Sequence, residues 1–216
     1  MSQARRRQWL AWAQRRGGLL IEYDLYGGLR SETPAPSLWR MSARSASAVH
    51  VGSLSRTLSP TLQVDYLVFS ASLSLRRSLL QHVNEPPSPI VQDVLCQLLD
   101  EGHVTRYTRR MMPVYRQKRD LVRRVLGDLG TVGQSACTEF GTHAVLTLPR
   151  AVSCRTVAAE LRRHGVLVRT LSSFTSGAAA PSDGLVIGYT HLPVPELERG
   201  LTLIAGVVRS VSRCSA

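Results

Sequence analysis

Lysine is almost absent from this sequence: of its 27 basic residues, Lys118 alone is a lysine and the rest are arginines. Chemistry that needs a neutral primary amine therefore has one candidate side chain, because a guanidinium stays protonated at physiological pH. Acidic residues number 15, which leaves a formal net charge of +12. Apolar runs of about 18 residues, the length a membrane span requires, are missing. The N-terminal stretch carries Arg5, Arg6 and Arg7 but neither the apolar run nor the small-residue cleavage site of a secretory signal. Cysteine is sparse and scattered, at 96, 137, 154 and 214, without CxxC spacing. Buried or free thiols in a reducing cytoplasm are expected, not a disulfide frame or a zinc site. The six histidines form no HExxH or HxxxH motif, so no metal is expected. There is no GxSxG elbow, and Gly17-Gly18 and Gly27-Gly28 do not make a dinucleotide-binding fingerprint.

What is present is a globular composition, 44% hydrophobic, which argues against intrinsic disorder. The positive charge invites a nucleic-acid partner. Yet a near-total preference for arginine is also what a GC-rich coding sequence produces, and no helix-turn-helix, RNP motif or zinc finger accompanies it. No DNA-binding domain is expected in this chain. The arginines between 104 and 124, with Lys118 among them, read as the solvated face of a helix.

The pattern along the chain alternates between helix and strand. Residues 4 to 16 place Trp9, Leu10, Trp12 and Ala13 on one side and arginines on the other, an amphipathic helix ended by Gly17-Gly18. Leu19 to Tyr23 reads as a strand apolar on both faces. Short strands are predicted at Ala48 to Gly52 and Val64 to Phe69, then helices at Leu73 to Val83 and Ile90 to Asp100. A long helix from about Val104 to Leu129 contains Pro113, which predicts a kink or a restart and a passage between domains. Beyond it come a strand at Ala144 to Leu148, a helix at Val152 to His164, strands at Val166 to Val168 and Leu185 to Tyr189, and a helix opened by Pro195. The expected class is α/β, divided as 1–113 and 114–216.

The stretch Val51-Gly52-Ser53-Leu54-Ser55-Arg56-Thr57-Leu58-Ser59-Pro60 resembles the cofactor-lysine segment of fold-type I (class I/II) aminotransferases, and most of all the aminotransferase-like domain of MocR-type regulators in the GntR family. Ile21-Glu22-Tyr23-Asp24 with Arg30 is similar to the strand and loop that approach the pyridine ring. Glu101-Gly102-His103, then Arg106, Arg109-Arg110-Met111 and Tyr115, resembles the long connecting helix. Gly184 to Tyr189 with Leu192-Pro193 resembles the last strand and helix of the small domain. The resemblance runs in one register from about residue 2 to about 210. It implies part of the large domain of a pyridoxal-phosphate (PLP) dependent transferase, followed by a small α+β domain.

The departures concentrate where the family does its chemistry. The resemblance puts the Schiff-base lysine at the position of Arg56, which cannot form a comparable imine. The aspartate that keeps the pyridine nitrogen protonated corresponds to Tyr23; Asp24 follows, but strand alternation points it to the opposite face. The tyrosine on the ring hydroxyl corresponds to Leu25, with Tyr26 one place late. The phosphate-binding arginine corresponds to Gln63, between the changed positions Thr61 and Asp65, and Asp65 repels a phosphate. Ser53 matches a phosphate-contacting hydroxyl and Tyr66 a packing position. Either they keep the shape of the segment, or Ser53, Ser55 and Arg56 form a new anion site.

Two functions stay open. One is a non-catalytic, aminotransferase-like remnant or interaction module that associates with itself or with a full-length relative, with Trp9, Trp12 and Trp39 on the surface it offers. The other is PLP binding with transaminase-type chemistry or effector sensing in transcription, as the resemblance implies.

Overall fold

The computed structural model describes residues 1–27, 36–42, 47–71, 86–137, 141–174 and 183–214. The expected helix at Leu73 to Val83 and the position of Arg30 lie outside them. The chain divides into two compact units, Met1–Arg109 and Arg110–Ala216. Among the described residues no helix is long and apolar enough to cross a membrane.

In the first unit, helix α1 (Gln3–Arg16) opens on Ser2, whose hydroxyl accepts from the Arg5 N–H at 3.3 Å, and closes on Gly17 at φ 62°. Its buried stripe is Arg6, Leu10 and Ala13, spaced i, i+4, i+7, while Trp9 and Trp12 are exposed. This corrects the division by polarity. Arg6 lies inward because Glu22 meets it there, and a paired charge can be buried where an unpaired one cannot. Trp39, expected on the surface, is half-buried against Leu10, Leu38 and Ala48.

Strands β1 (Leu20–Asp24), β2 (Ala48–Ser53) and β3 (Asp65–Val68) form a sheet in that order, β1 parallel to β2 and β2 antiparallel to β3. A single turn of helix, α2 (Leu38–Met41), packs with α1 against β1 and β2. The expectation that β1 is apolar and buried on both faces does not hold. Leu20 and Glu22 point inward, whereas Ile21 and Tyr23 are 66% and 65% exposed. Register puts Tyr23, Val51 and Leu67 in one row, and no described element covers it. After β2 come the one-turn helix α3 (Leu54–Thr57), a 3₁₀ turn at Pro60–Leu62 and then α4 (Pro89–Asp100). Leu54, Val64 and Leu95 form a small cluster that holds these pieces together.

Helix α5 (His103–Gly127) runs on through Pro113 without restarting, contrary to that alternative in the sequence reading. Proline removes one N–H donor, a loss that a helix of 25 residues tolerates. The second unit contains a four-stranded antiparallel sheet in the order β4 (Gln134–Cys137), β5 (His143–Leu148), β7 (Asp183–Gly188), β6 (Arg169–Thr170). Helices α6 (Cys154–Arg163) and α7 (Val194–Cys214) complete it, α6 capped by the Ser153 hydroxyl, which accepts from the Thr156 N–H at 3.2 Å. The strand expected at Val166 to Val168 is displaced: pairing begins only at Arg169 and Thr170, opposite Val186 and Leu185. Its apolar residues satisfy the sequence signal for a strand without making the ladder. Val122, Leu126, Leu146, Leu161, Leu185 and Leu201 are essentially inaccessible, and each fully buried side chain of this size contributes about 1.5–3 kcal/mol.

Candidate functional site

The segment that carries the resemblance sits where β2 ends and α3 begins. Ser53, buried, is the N-cap of α3: its Oγ accepts from the Arg56 N–H at 3.2 Å, and its carbonyl accepts from Thr57 Oγ1 at 2.9 Å. Ser55 Oγ donates to the Val64 carbonyl at 3.1 Å and accepts from the Val64 N–H at 2.7 Å. Both hydroxyls are thus engaged inside the protein, and the strap from Ser55 to Val64 folds the turn back on itself. Arg56 stands on α3 with its side chain exposed.

Gln63 caps the 3₁₀ turn in the left-handed region, at φ 51° and ψ 36°, and is exposed. Asp65 opens β3 directly opposite Ser53 in the ladder, so an acidic residue is the cross-strand partner of that buried serine. Thr61, also exposed, shares a hydrogen bond of 2.8 Å with Ser59. Tyr23 projects from the open face of β1; Leu25 and Tyr26 follow the strand, half-buried. Asp24, as alternation predicts, is on the opposite side from Tyr23 and in one row with Gly52 and Tyr66. Burial raises the Tyr66 phenol above its ordinary pKa, and the Asp24 charge raises it further.

A polar group that no sequence motif marks lies behind this sheet. Glu22 receives Arg6 Nη1 at 2.6 Å and the Leu38 N–H at 2.7 Å, and its second oxygen lies 3.3 Å from His50 Nδ1. One carboxylate thereby ties α1, β1, α2 and β2 together. The period-2 alternation that turned Asp24 away from Tyr23 also puts Glu22 inside, and that was the available signal.

Lys118 needs a larger correction. It was expected on the solvated face of the long helix, but its residue is only 6% exposed and Nζ donates to the Thr190 carbonyl at 2.6 Å. The reason is spacing: Lys118 precedes Leu121 and Val122 by three and four residues, so it shares their buried stripe. Its stem packs inward, and desolvation holds the amine below the ordinary lysine pKa. It belongs to the second unit, whereas Tyr23, Leu25, Ser53, Arg56 and Gln63 belong to the first. Among the described residues no cluster of histidine, cysteine or carboxylate side chains is able to hold a metal ion.

The fold is that of fold-type I PLP-dependent aminotransferases. The structure matches LysN, the alpha-aminoadipate aminotransferase of Thermus thermophilus, with a TM-score of 0.82 at 21% identity, over 97% of this chain and 55% of that one. It also matches a multiple substrate aminotransferase from Thermococcus profundus, with a TM-score of 0.81 at 18% identity, over 99% and 53%.

Relatives by sequence include both regulators and enzymes. The HTH-type transcriptional regulator TauR of Rhodobacter capsulatus is 30% identical over 211 residues, 94% of this chain and 43% of TauR. The (S)-3,5-dihydroxyphenylglycine transaminase of Amycolatopsis orientalis is 30% identical over 222 residues, covering 94% and 48%. The probable rhizopine catabolism regulatory protein MocR of Rhizobium meliloti is 23% identical over 175 residues, covering 78% and 34%. The chain spans less than half the length of these curated relatives. No family model matches it.

Proposed function

We propose that this chain is a non-catalytic, aminotransferase-fold interaction module related to MocR-type regulators, and that it forms no Schiff base with PLP. The observation that carries this reading is the state of the chain's one lysine. Its amine is buried in the second unit on the Thr190 carbonyl, while the position that the resemblance gives to the cofactor lysine holds an arginine, Arg56.

The surrounding residues do not fit the cofactor either. Ser55 commits its hydroxyl to Val64 as donor and acceptor, Asp65 is the ladder partner of Ser53, and Tyr23 offers an exposed phenol in place of a carboxylate. No catalytic step through the cofactor follows from such a site. Self-association, or association with a longer relative, is supported by the exposed apolar side chains of Ile21, Tyr23 and Leu67 on the two outer strands of the sheet.

The test is a titration of the purified chain with PLP, followed by absorbance and melting temperature, then borohydride reduction and mass measurement. The expected result is no aldimine band and no reduced adduct. A stoichiometric adduct mapped to Lys118 or the N-terminal amine would overturn the reading and favour the transaminase-like alternative. A melting shift without an adduct would mean that the anion is held non-covalently, with Arg56 as its first candidate ligand.

A further inference from the structure

Helix α1 keeps two large aromatic side chains in water. Trp9 and Trp12 are each 45% exposed, and their rings meet edge to face, with centroids 5.7 Å apart and planes at 83°. With 3.6 residues per turn, Arg5, Trp9, Trp12 and Arg16 fall within an arc of about 60°, beside the buried stripe of Arg6, Leu10 and Ala13. All four are exposed, in a stripe about 16 Å long with an arginine at each end and the indoles between. Trp12 reaches back over Gly18, where an added Cβ would lie 3.7 Å from its ring, and Leu19 beyond it is exposed as well. The helix contains no acidic residue. Glu22, the carboxylate that α1 does meet, is buried on Arg6. Among the described residues neither Arg5 nor Arg16 takes part in an ion pair.

We propose that this face of α1 docks on an anionic lipid surface, lying flat with both indoles at the level of the headgroups. An indole combines an apolar body with one N–H donor, the combination that settles at a membrane–water interface. Arg5 and Arg16 carry their charge on long apolar stems, which reach lipid phosphates while the helix stays in the interface plane. With Arg7 and Arg15 they make four exposed cations on a helix of 14 residues, the density at which a helix recognises anionic lipid. Single-stranded nucleic acid also complements that charge. Successive bases, however, stack on rings that face the same way, and these two are nearly perpendicular. No residue of the stripe belongs to the segment around Arg56, and the inference does not depend on whether the chain binds PLP.

The experiment adds the purified full chain to vesicles of phosphatidylcholine, alone or with about 30% phosphatidylglycerol, and follows co-sedimentation and tryptophan fluorescence. The chain is expected to sediment with the anionic vesicles only. Its emission shifts to the blue, and lipids brominated on their acyl chains quench it. In Trp9→Gln/Trp12→Gln only Trp39 still reports, and the quenching is absent.

A chain of net charge +12 also adheres to anionic surfaces through charge spread over the whole molecule, so a control removes equal charge elsewhere. Arg5→Gln/Arg16→Gln is expected to weaken binding to the anionic vesicles by about thirtyfold. Arg199→Gln/Arg213→Gln, exposed on α7 in the second unit, weakens it by less than about threefold. Equal losses from the two pairs would overturn the proposal, as would anionic vesicles that leave the emission of the parent unquenched. The proposal also fails if a thymidine oligomer quenches Trp9 and Trp12 and vesicles do not, which would put nucleic acid on this face. Emission that shifts with protein concentration alone, and not with lipid, would put a second copy there instead.

Discussion

Arg6 Nη1 donates to Glu22 Oε1 at 2.6 Å, and both side chains are nearly inaccessible, at 6% and 10%. A salt bridge so placed adds little over an apolar pair of similar shape, but removing one partner strands the other in a low-dielectric setting. Arg6→Ala leaves the Glu22 carboxylate with the Leu38 N–H and His50 but no permanent positive charge. The expected cost is about 3–5 kcal/mol in urea unfolding. Replacing Arg6 by methionine and Glu22 by leucine together is expected to cost much less than either single change. An additive outcome would show that the pair is not coupled.

A second relationship concerns shape. Gly52 and Tyr66 are partners across the β2–β3 ladder, and a Cβ on Gly52 would come within 2.2 Å of the Tyr66 ring. The ring occupies the space that any side chain at 52 needs. Gly52→Ala is therefore expected to destabilise the first unit by about 1–3 kcal/mol, as overpacking does. In the double variant with Tyr66→Ala that penalty should largely vanish. Equal penalties with and without the ring would show that the backbone of Gly52, rather than the space above it, matters.

How much of this was legible in the sequence depends on which signal each residue carried. Short-range signals were read correctly: Gly17 as the end of α1, and Asp24 turned away from Tyr23. The resemblance named the fold, which no periodicity alone distinguishes from other α/β arrangements. What failed were the charged residues inside. Arg6 and Lys118 were assigned to water by their polarity, yet each occupies a helical stripe with buried apolar neighbours and meets a specific acceptor, Glu22 or the Thr190 carbonyl. Those partners are 16 and 72 residues away in sequence, and no local pattern announces them. The exposure of Ile21 and Tyr23 was hidden for a related reason, since an apolar strand does not state which of its faces is covered.

Lys118 and Met1 carry the chain's two kinds of primary amine, one buried and one exposed. In the folded protein an amine-reactive ester should label Met1 and leave Lys118 untouched; in urea it should label both, as peptide mass mapping reads directly. The pH dependence has a definite sign. The folded amine is held below the ordinary lysine value of 10.5 by desolvation, so the unfolded chain binds the extra proton between the two values. Lys118 thus contributes stability that is fully present above the unfolded pKa and is lost as pH falls through the folded one. Relative to Lys118→Met, the wild-type unfolding free energy should rise across that window. A constant difference would mean that the amine titrates alike in both states.

Asp183, the first residue of β7, is the hub of a polar cluster in the second unit. Its carboxylate accepts from the Ser172 N–H at 2.9 Å, the Ser172 hydroxyl at 3.0 Å and the Gly184 N–H at 2.8 Å, with the Cys154 thiol as a further donor. Desolvation alone would raise its pKa, but these donors outweigh it and hold the carboxyl below its ordinary value. The Cys154 thiol moves the other way, up to about 11, through burial first and the Asp183 charge second. A depressed carboxylate contributes stability that is present above the unfolded pKa and lost as pH falls through the folded one. Asp183→Asn is therefore expected to weaken the fold at neutral pH by about 1–3 kcal/mol, since an amide cannot accept all of these bonds. It should also flatten the acid limb of the stability profile below the ordinary aspartate value of 3.8. Thermal melts of both proteins across that range check the claim, and parallel profiles would show that the carboxylate's charge is not what these donors stabilise.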